Sequence, residues 1–307
     1  MHIDPWQIPA DTTEMAQLAS RLWPHGPHPG GLGWSMAIGQ FASRIVVARD
    51  GGRVVGWAGT SPGEVAVQVD PRHPEVADHL LGWAVEADES GMPALVVWDG
   101  DLVVADAARR AGFVPDVPRD TGGTVVGMTR RAQRDDPRLP PGFGVHPTRS
   151  EEKAARVAVH RAAWRPIDLP WAPAFRPDAT PDQTSRFAAA DYDAVRLTWL
   201  YDERLDLVVE APDGTLAASC LGWWDPRSLT AEIEPLGVVP THRRRGLAGA
   251  LCRAVSDTVA QWGGREVFIN TGPRPDYPAP AAAYARAGFQ VVPRGRWHHL
   301  KGSSDRD

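Results

Sequence analysis

Apolar and polar residues follow one another along this chain in two rounds of the same order. Residues 45–59 hold two β-branched runs around Asp50-Gly51-Gly52, and residues 207–223 hold two such runs around Asp213-Gly214. Glycine-containing turns between short apolar runs are typical of β-hairpins. The pattern therefore predicts one hairpin in each half of the chain.

Each predicted hairpin is followed by a strand that ends in Val-x-Pro, at residues 69–71 and at residues 238–240, and then by a helical pattern. In the second half this helix is predicted to begin after Pro240 and to end at Gly263-Gly264. Its apolar residues recur every three or four positions, and they are Leu247, Leu251, Val255, Val259 and Trp262.

Alanine-rich helices ending in Gly-Phe are predicted near the end of each half, at residues 105–113 and 281–289, and glycine there suits a left-handed cap. Each half is thus predicted to contain a hairpin, a strand, a helix, a second strand, a second helix and a third strand, in this order. The predicted fold class is α/β (α+β), with a mixed central sheet flanked by helices that occurs twice in tandem. Residues 131–142, charged and rich in proline, predict a linker between a domain at 1–130 and a domain at 143–307.

Composition excludes several classes of function. The chain has 307 residues with 33 basic and 38 acidic side chains, so a nucleic-acid partner is not expected. Only Cys220 and Cys252 are present, and no HExxH motif occurs, so we expect no disulfide framework and no metal. The start of the chain lacks a signal peptide, and no apolar run is long enough for a membrane helix; we therefore expect a cytoplasmic protein without a membrane partner.

The stretch at residues 243–249 predicts an anion site. Backbone amides at a helix start lack partners within the helix, and the helix dipole favours negative charge there. Gly246, Ala248 and Gly249 let a ligand approach the backbone, and three consecutive arginines add positive charge. Neither a P-loop nor a GxGxxG motif is present, so the anion is expected to be held by a different kind of motif.

The motif Val238-x-Pro240-x-x-Arg243-x-x-Gly246-x-Ala248 resembles the acyl-CoA signature of the GNAT superfamily of N-acetyltransferases. The order of the surrounding elements agrees, since a hairpin precedes the motif and a strand at 266–270 follows its helix. The resemblance covers residues 143–301, and the first half resembles a second, eroded copy. Tandem domains of this kind occur within the superfamily.

The resemblance implies acetyl-CoA as co-substrate. Backbone amides of residues 244–249 would wrap its pyrophosphate, and the edge of the strand through Val238 and Val239 would pair with its pantetheine arm. The residues expected to bind it are Val238, Val239, Arg243, Arg244, Arg245, Gly246, Leu247, Ala248 and Gly249.

The first copy departs from this motif. Pro74, Ala77 and His79 occupy the positions of its arginine, glycine and alanine, and proline has no amide to donate. Ala108 stands where the second copy has a tyrosine. We expect the first domain to be non-catalytic; a second, altered CoA site is the alternative.

Acetyl transfer to an amine needs a base, a donor to the thioester carbonyl and an acid for the departing thiolate. Glu232 and Glu234 lie two apart on a predicted strand, where Pro235 predicts a bulge; either could serve as base, and Glu234 is slightly favoured. The resemblance implies the Leu236 amide as carbonyl donor and Tyr284 as general acid. The alternative for Tyr284 is that it is only a packed aromatic side chain. The alternative for each of the two glutamates is that its carboxylate faces solvent.

Neither cysteine has an evident partner base, so direct attack in a ternary complex is preferred to a covalent route. The long segment at residues 164–187 is expected to border the acceptor, with Trp164, Trp171 and Phe175 as an apolar wall; packing between the domains is the alternative. The sequence thus predicts an acetyl-CoA-dependent N-acetyltransferase that acts on a primary amine of a small molecule. A non-catalytic CoA-binding sensor or scaffold is the alternative, and a homodimer is compatible with the sequence.

Overall fold

The computed structural model describes residues 2–7, 10–39, 44–116, 123–170 and 178–301. These residues form two compact units. The first comprises Met1–Val126 together with Pro293–Asp307, and the second comprises Gly127–Val292. Each unit is a mixed sheet with helices, as the repeat in the sequence predicts.

The sheet of the first unit has the strand order β1-β2-β3-β4-β5-β13, and the short β6 pairs with the other edge of β13. Its elements are β1 His2–Pro5, α1 Ala10–Leu22, α2 Pro29–Ala37, β2 Ile45–Asp50, β3 Arg53–Ser61, β4 Glu64–Val69, α3 Ala77–Ala87, β5 Ala94–Trp98, α4 Leu102–Arg110, β6 Phe113–Pro115 and the part of β13 (Gln290–Leu300) that follows Val292.

The sheet of the second unit has the order β7-β12-β11-β10-β9-β8. Its elements are the part of β7 (Thr124–Arg131) that begins at Gly127, then β8 Gly144–Pro147, α5 Lys153–Ala163, α6 Ala189–Arg196, β9 Asp206–Glu210, β10 Leu216–Asp225, β11 Thr230–Val238, α7 Leu247–Gln261, β12 Glu266–Ile269 and α8 Ala279–Arg286.

The repeated landmarks are found in both units. The predicted hairpins are the antiparallel pairs β2–β3 and β9–β10. After α4 and α8, Gly112 and Gly288 have φ of 89° and 88°, the left-handed conformation that glycine adopts without a steric penalty. Both predicted hairpins and both predicted caps are therefore confirmed.

One boundary in the second unit differs from the prediction. The helix expected directly after Pro240 begins at Leu247, because a 3-10 helix (Pro240–His242) and a loop at 243–246 come first. The predicted apolar face of α7 is confirmed, since Leu247, Leu251, Val255 and Val259 all lie in the buried core cluster of this unit.

Parallel pairing ends early in both sheets. In the second unit β11 pairs with β12 only from Thr230 to Glu232, although β11 continues to Val238 along β10. In the first unit β4 pairs with β5 only at Glu64 and Val65. Each unit therefore has a gap between two parallel strands, and the gap opens toward their carboxyl ends.

Two strands lie in the unit formed mainly by the other half of the chain. Residues 295–299 of β13 pair with β5 in the first unit, and residues 128–131 of β7 pair with β12 in the second. The division into units therefore differs from the predicted linker at 131–142. A strand edge needs partners for its backbone groups, and any segment that reaches it can supply them. Sequence proximity does not decide which segment that is.

A chain that stops after Val292 tests this exchange. It would lack the strand that pairs with β5 and β6 but would keep all six strands of the second unit. We expect the first unit to lose its cooperative unfolding transition, or the transition to fall by roughly 10 °C or more, because two strand edges become exposed. Calorimetry and limited proteolysis measure this.

The matched control is a chain that stops after Lys301, which retains β13 entirely. If the chain that ends at Val292 unfolded like this control, residues from Pro293 onward would not be part of the first unit.

Candidate active site

The edge of β11 that faces β12 has no strand partner after Glu232 among the described residues. The Val239 amide donates to Ala217 O of the neighbouring chain segment at 3.0 Å. In a trans peptide the carbonyl points opposite to the following N–H, so the Val238 carbonyl points away from β10. Because backbone groups alternate between the two edges of a strand, the Leu236 amide points the same way. An extended ligand can bind this edge as an added strand does.

A bulge interrupts β11 just before this edge. Cys220 pairs with Leu236 and Gly222 pairs with Ile233, so two residues of β11, Glu234 and Pro235, lie opposite one residue of β10. The Trp223 indole N–H donates to the Glu234 carbonyl at 2.6 Å. The irregularity predicted from Pro235 is thereby confirmed, and it reorients Glu234 relative to a regular strand.

The two glutamates of β11 have different environments. Glu232 is almost fully buried, at 1% exposure, whereas Glu234 is partly exposed. Loss of hydration, and secondarily the nearby charge of Glu232, raises the pKa of Glu234 to about 8. The ionised form of such a carboxyl group is a stronger base than an ordinary glutamate, although it is the minority form at neutral pH. Glu234 therefore has the acid–base property that the predicted base requires.

The loop before α7 is open to ligand. Gly246 is exposed with φ of 82°, and a Cβ placed on it would meet no atom within 4 Å. It is the N-cap of the 15-residue helix α7, whose first-turn amides at Leu247, Ala248 and Gly249 lack intrahelical acceptors. The open backbone and the helix dipole together favour a phosphate at this position.

The three arginines of the loop differ in their contacts. Arg244, with φ of 66°, and Arg245 are exposed, and their side chains make no hydrogen bond or ion pair with the described residues. Arg243 instead donates to the carbonyls of Val238 and Ala163 and to the Asp168 carboxylate. The guanidinium groups of Arg244 and Arg245 are thus available to an anion at the loop, and that of Arg243 is not.

Tyr284 lies on α8 within the core cluster of the second unit, at 7% exposure and 6.1 Å from the Phe289 ring. Burial raises its pKa well above the ordinary value, and the nearby groups Cys252 and Glu234 raise it further. The phenol therefore stays protonated at neutral pH and can donate but not accept the proton of an acid–base step.

Trp164 lies next to β11 at Gly237. It is the C-cap of α5, and a Cβ on Gly237 would come within 2.8 Å of its indole nitrogen. The buried His160 ring stacks on Trp164 and lies 4.3 Å from the Phe187 ring. Burial, and then the charge of Arg156, lowers the pKa of His160 to about 3, so this imidazole is neutral.

Two of the three predicted acceptor residues cannot be located, since Trp171 and Phe175 lie outside the described residues. Sequence reasoning missed His160 and Phe187. The i, i+4 spacing of His160 and Trp164 on one helix face was a usable signal. Gly237 in a strand was another, because an interior strand glycine often marks a close approach of another segment.

The cysteines have no nucleophilic character. Cys220 and Cys252 are both fully buried, and burial is the main cause that raises the pKa of each thiol, to about 12 for Cys252. The thiolate is the reactive form of cysteine, and it is disfavoured at both positions.

One group of three potential metal ligands exists among the described residues, formed by His146, Glu152 and Glu210. Arg149 donates to both carboxylates, at 2.9 and 3.3 Å. The guanidinium offsets part of their charge, and His146 Nε2 lies 3.2 Å from a Glu210 oxygen, so the three side chains belong to a network of ion pairs and hydrogen bonds.

In the first unit, residues 23–28 contact the two strands, β4 and β5, that border the corresponding gap. A Cβ on Gly26 would lie 2.6 Å from the Gln68 side chain of β4, and His25 Nδ1 lies 2.8 Å from Asp99 O, just after β5. Arg294 donates to Gly26 O at 2.9 Å and stacks over the Trp23 ring. The segment thus touches the ends of both separated strands.

Comparisons with known proteins found one family match and several similar solved structures. Residues 171–289 match the acetyltransferase (GNAT) family. Similar solved structures include a tandem GNAT protein from the clavulanic acid biosynthesis pathway, at 18% identity over 98% of this chain and 99% of that one, with a TM-score of 0.53. A GCN5-related N-acetyltransferase from Sphaerobacter thermophilus is 18% identical over 95% and 93% of the two chains, with a TM-score of 0.54.

An acetyltransferase from the GNAT family from Colwellia psychrerythraea is 14% identical over 98% of this chain and 100% of that one, with a TM-score of 0.56. At these identities the likeness shows a shared fold. No curated protein matches the sequence. Within the described ranges, no helix combines the length and apolar character that crossing a bilayer requires.

The open loop at Gly246 can be tested with coenzyme A. Gly246→Asp would put a carboxylate beside the first-turn amides of α7, so we expect it to weaken binding of coenzyme A relative to Gly246→Asn by roughly tenfold to a hundredfold. Calorimetric titration measures the two affinities.

The asparagine variant is the matched control, because it has nearly the same shape and the same tolerance for a left-handed φ but no charge. Equal affinities for the two variants would mean that no phosphate lies at this loop.

Proposed function

We propose that this protein transfers the acetyl group of acetyl-CoA to a primary amine of a small molecule, on the ground that residues 171–289 match the acetyltransferase (GNAT) family. The observation that supports this most directly is one continuous stretch of backbone. The bulged strand with Glu234 leads along the edge at Leu236 and Val238, which has no strand partner among the described residues, to the open loop at Gly246.

The reaction that we propose is direct attack in a ternary complex. Glu234 takes a proton from the amine, the amine nitrogen bonds to the thioester carbonyl carbon, and the carbon–sulfur bond breaks. The departing thiolate takes its proton from Tyr284. The raised pKa of Glu234 supports its role as base, and the protonated state of Tyr284 supports its role as acid.

The Leu236 amide would stabilise negative charge on the thioester oxygen. Its direction toward the unpaired edge supports this, since a fixed backbone N–H aimed at a developing oxyanion lowers the barrier without reorganisation. The amides from Arg244 to Gly249 would hold the diphosphate, together with the guanidinium groups of Arg244 and Arg245, which no described residue pairs. The buried, protonated cysteines argue against a covalent acyl-enzyme.

We propose that the first unit has no catalytic role. Its helix α3 is preceded by Pro74–Val76 instead of an open glycine loop, and residues 23–28 contact both strands that border its gap. A pantetheine arm that entered this gap would meet that segment beside Gln68 and Asp99. The acceptor is expected on the second unit, beside Trp164, His160 and Phe187.

The test is release of free thiol from acetyl-CoA with a panel of primary amines, together with a thermal shift measured with coenzyme A alone. We expect a shift, and amine-dependent thiol release for at least one acceptor class. A shift without release for any amine would favour a CoA-binding sensor or scaffold. The absence of both would contradict acyl-CoA binding altogether.

The pH dependence of kcat identifies the base. A carboxylate must be ionised to accept the proton, and below a pKa of about 8 its ionised fraction falls tenfold per pH unit. We expect kcat to rise with pH and to level off above about 8. Glu234→Gln should remove this rise and lower kcat roughly a hundredfold or more.

Glu232→Gln is the matched control. It removes the neighbouring negative charge that raises the pKa of Glu234, so the rise in kcat should move to lower pH and remain. The opposite pattern, in which Glu234→Gln keeps the rise and Glu232→Gln loses it, would make Glu232 the base.

A further inference from the structure

Arg243 belongs to the motif that binds the cofactor in our proposal, yet its side chain turns away from the open loop. Its Nε donates to the Val238 carbonyl at 3.3 Å, on the unpaired edge of β11. One Nη donates to the Ala163 carbonyl at 3.3 Å, where α5 ends, and to Asp168 Oδ2 at 2.9 Å. One guanidinium thus joins the strand, the helix end and a 3-10 helix (Pro166–Asp168).

Asp168 is the centre of a second set of contacts. Arg165 donates to both of its oxygens at 3.0 Å and also to the Pro181 carbonyl at 3.3 Å. Burial alone would raise the pKa of Asp168, but the hydrogen bonds from Arg165 and Arg243 outweigh it and lower the pKa. The carboxylate is therefore ionised and held between two guanidinium groups.

These contacts hold the end of α5 tightly against β11. A Cβ on Gly237 would come within 2.7 Å of Ala163 Cβ and 2.8 Å of the Trp164 indole nitrogen, so only glycine permits the approach. Trp164 is thereby kept beside the strand residues next to which a pantetheine arm would lie. The indole nitrogen is buried and has no hydrogen-bond partner within the described part of the chain.

Arg244 and Arg245 provide the contrast within the same loop. Both are exposed, and neither side chain contacts a described residue through a hydrogen bond or ion pair. A phosphate at Gly246 would meet these two cations, whereas the guanidinium of Arg243 is already bound by three protein oxygens. The three consecutive arginines therefore have two different roles.

We propose that Asp168 and Arg243 form a clasp that positions residues 163–168 along the unpaired edge of β11, and that it acts on the acyl-pantetheine end of the ligand. Arg244 and Arg245 act on the phosphates. This inference rests on the proposed use of acetyl-CoA. Asp168 and Arg243 are positioning residues, since they act through the backbone of α5 and β11.

The experiment compares two acyl donors in the full chain. Acetyl-CoA has the diphosphate, and S-acetylpantetheine lacks it. We expect Asp168→Asn and Arg243→Gln each to lower kcat/KM about three- to tenfold with both donors, because the part of the ligand that the clasp affects is present in both. Arg245→Gln, the matched control, should lower kcat/KM with acetyl-CoA and leave S-acetylpantetheine unchanged.

The double variant Asp168→Asn/Arg243→Gln gives an independent measurement. If the two side chains work as one clasp, the double variant should lose little more than either single variant, because the second change removes an interaction that is already broken. Asp168→Glu keeps the charge and should recover part of the loss. Circular dichroism and thermal unfolding check that each variant is folded.

Two results would overturn the clasp. One is a loss for Arg243→Gln confined to acetyl-CoA, which would make Arg243 a phosphate ligand. The other is full additivity of the two single changes. A wild-type chain that neither binds nor turns over acetyl-CoA would instead contradict the proposed function, so the two failures are distinguishable.

Discussion

The early end of pairing between β11 and β12 is the constraint on which the candidate site depends. Three residue pairs join the strands, and beyond Glu232 the edge of β11 has no strand partner among the described residues. Buried backbone groups need hydrogen-bond partners, so such an edge either faces solvent or takes a ligand. The bulge at Glu234 lies at the point of separation and determines where a carboxylate meets that edge.

Electrostatics differ along this edge in a way that suits a ligand with a charged end and a reactive end. Near the separation, burial and a second carboxylate keep Glu234 weakly acidic, with a pKa of about 8. At the far end, the first amides of α7 lack intrahelical acceptors, and the guanidinium groups of Arg244 and Arg245 pair with none of the described residues. Between them, Arg243 neutralises Asp168 and closes α5 onto the strand. Each region uses a different balance of desolvation and charge.

The first unit has the same architecture but lacks the open glycine loop and the charged groups of the second unit. Its parallel strands also separate, but residues 23–28 contact both of them, with Arg294 bound to Gly26. A gap between strands is therefore a property of the fold, and a ligand site needs in addition an open backbone and suitable charge. The exchange of β7 and β13 means that neither half of the sequence contains all the strands of its own sheet.

The sequence by itself determined the local features: the hairpins, the glycine caps, the irregularity at Pro235 and the glycine at position 246 that leaves the backbone accessible to a ligand. Each depends on backbone conformations and spacings within a few residues, which turn chemistry and periodicity reveal. Only the tertiary structure decided the raised pKa of Glu234, the unit to which β13 belongs and the pairing of Arg243 with Asp168. These depend on burial and on contacts between segments far apart in the chain, because desolvation and strand-edge pairing respond to whatever the fold brings near, and local propensity does not encode that.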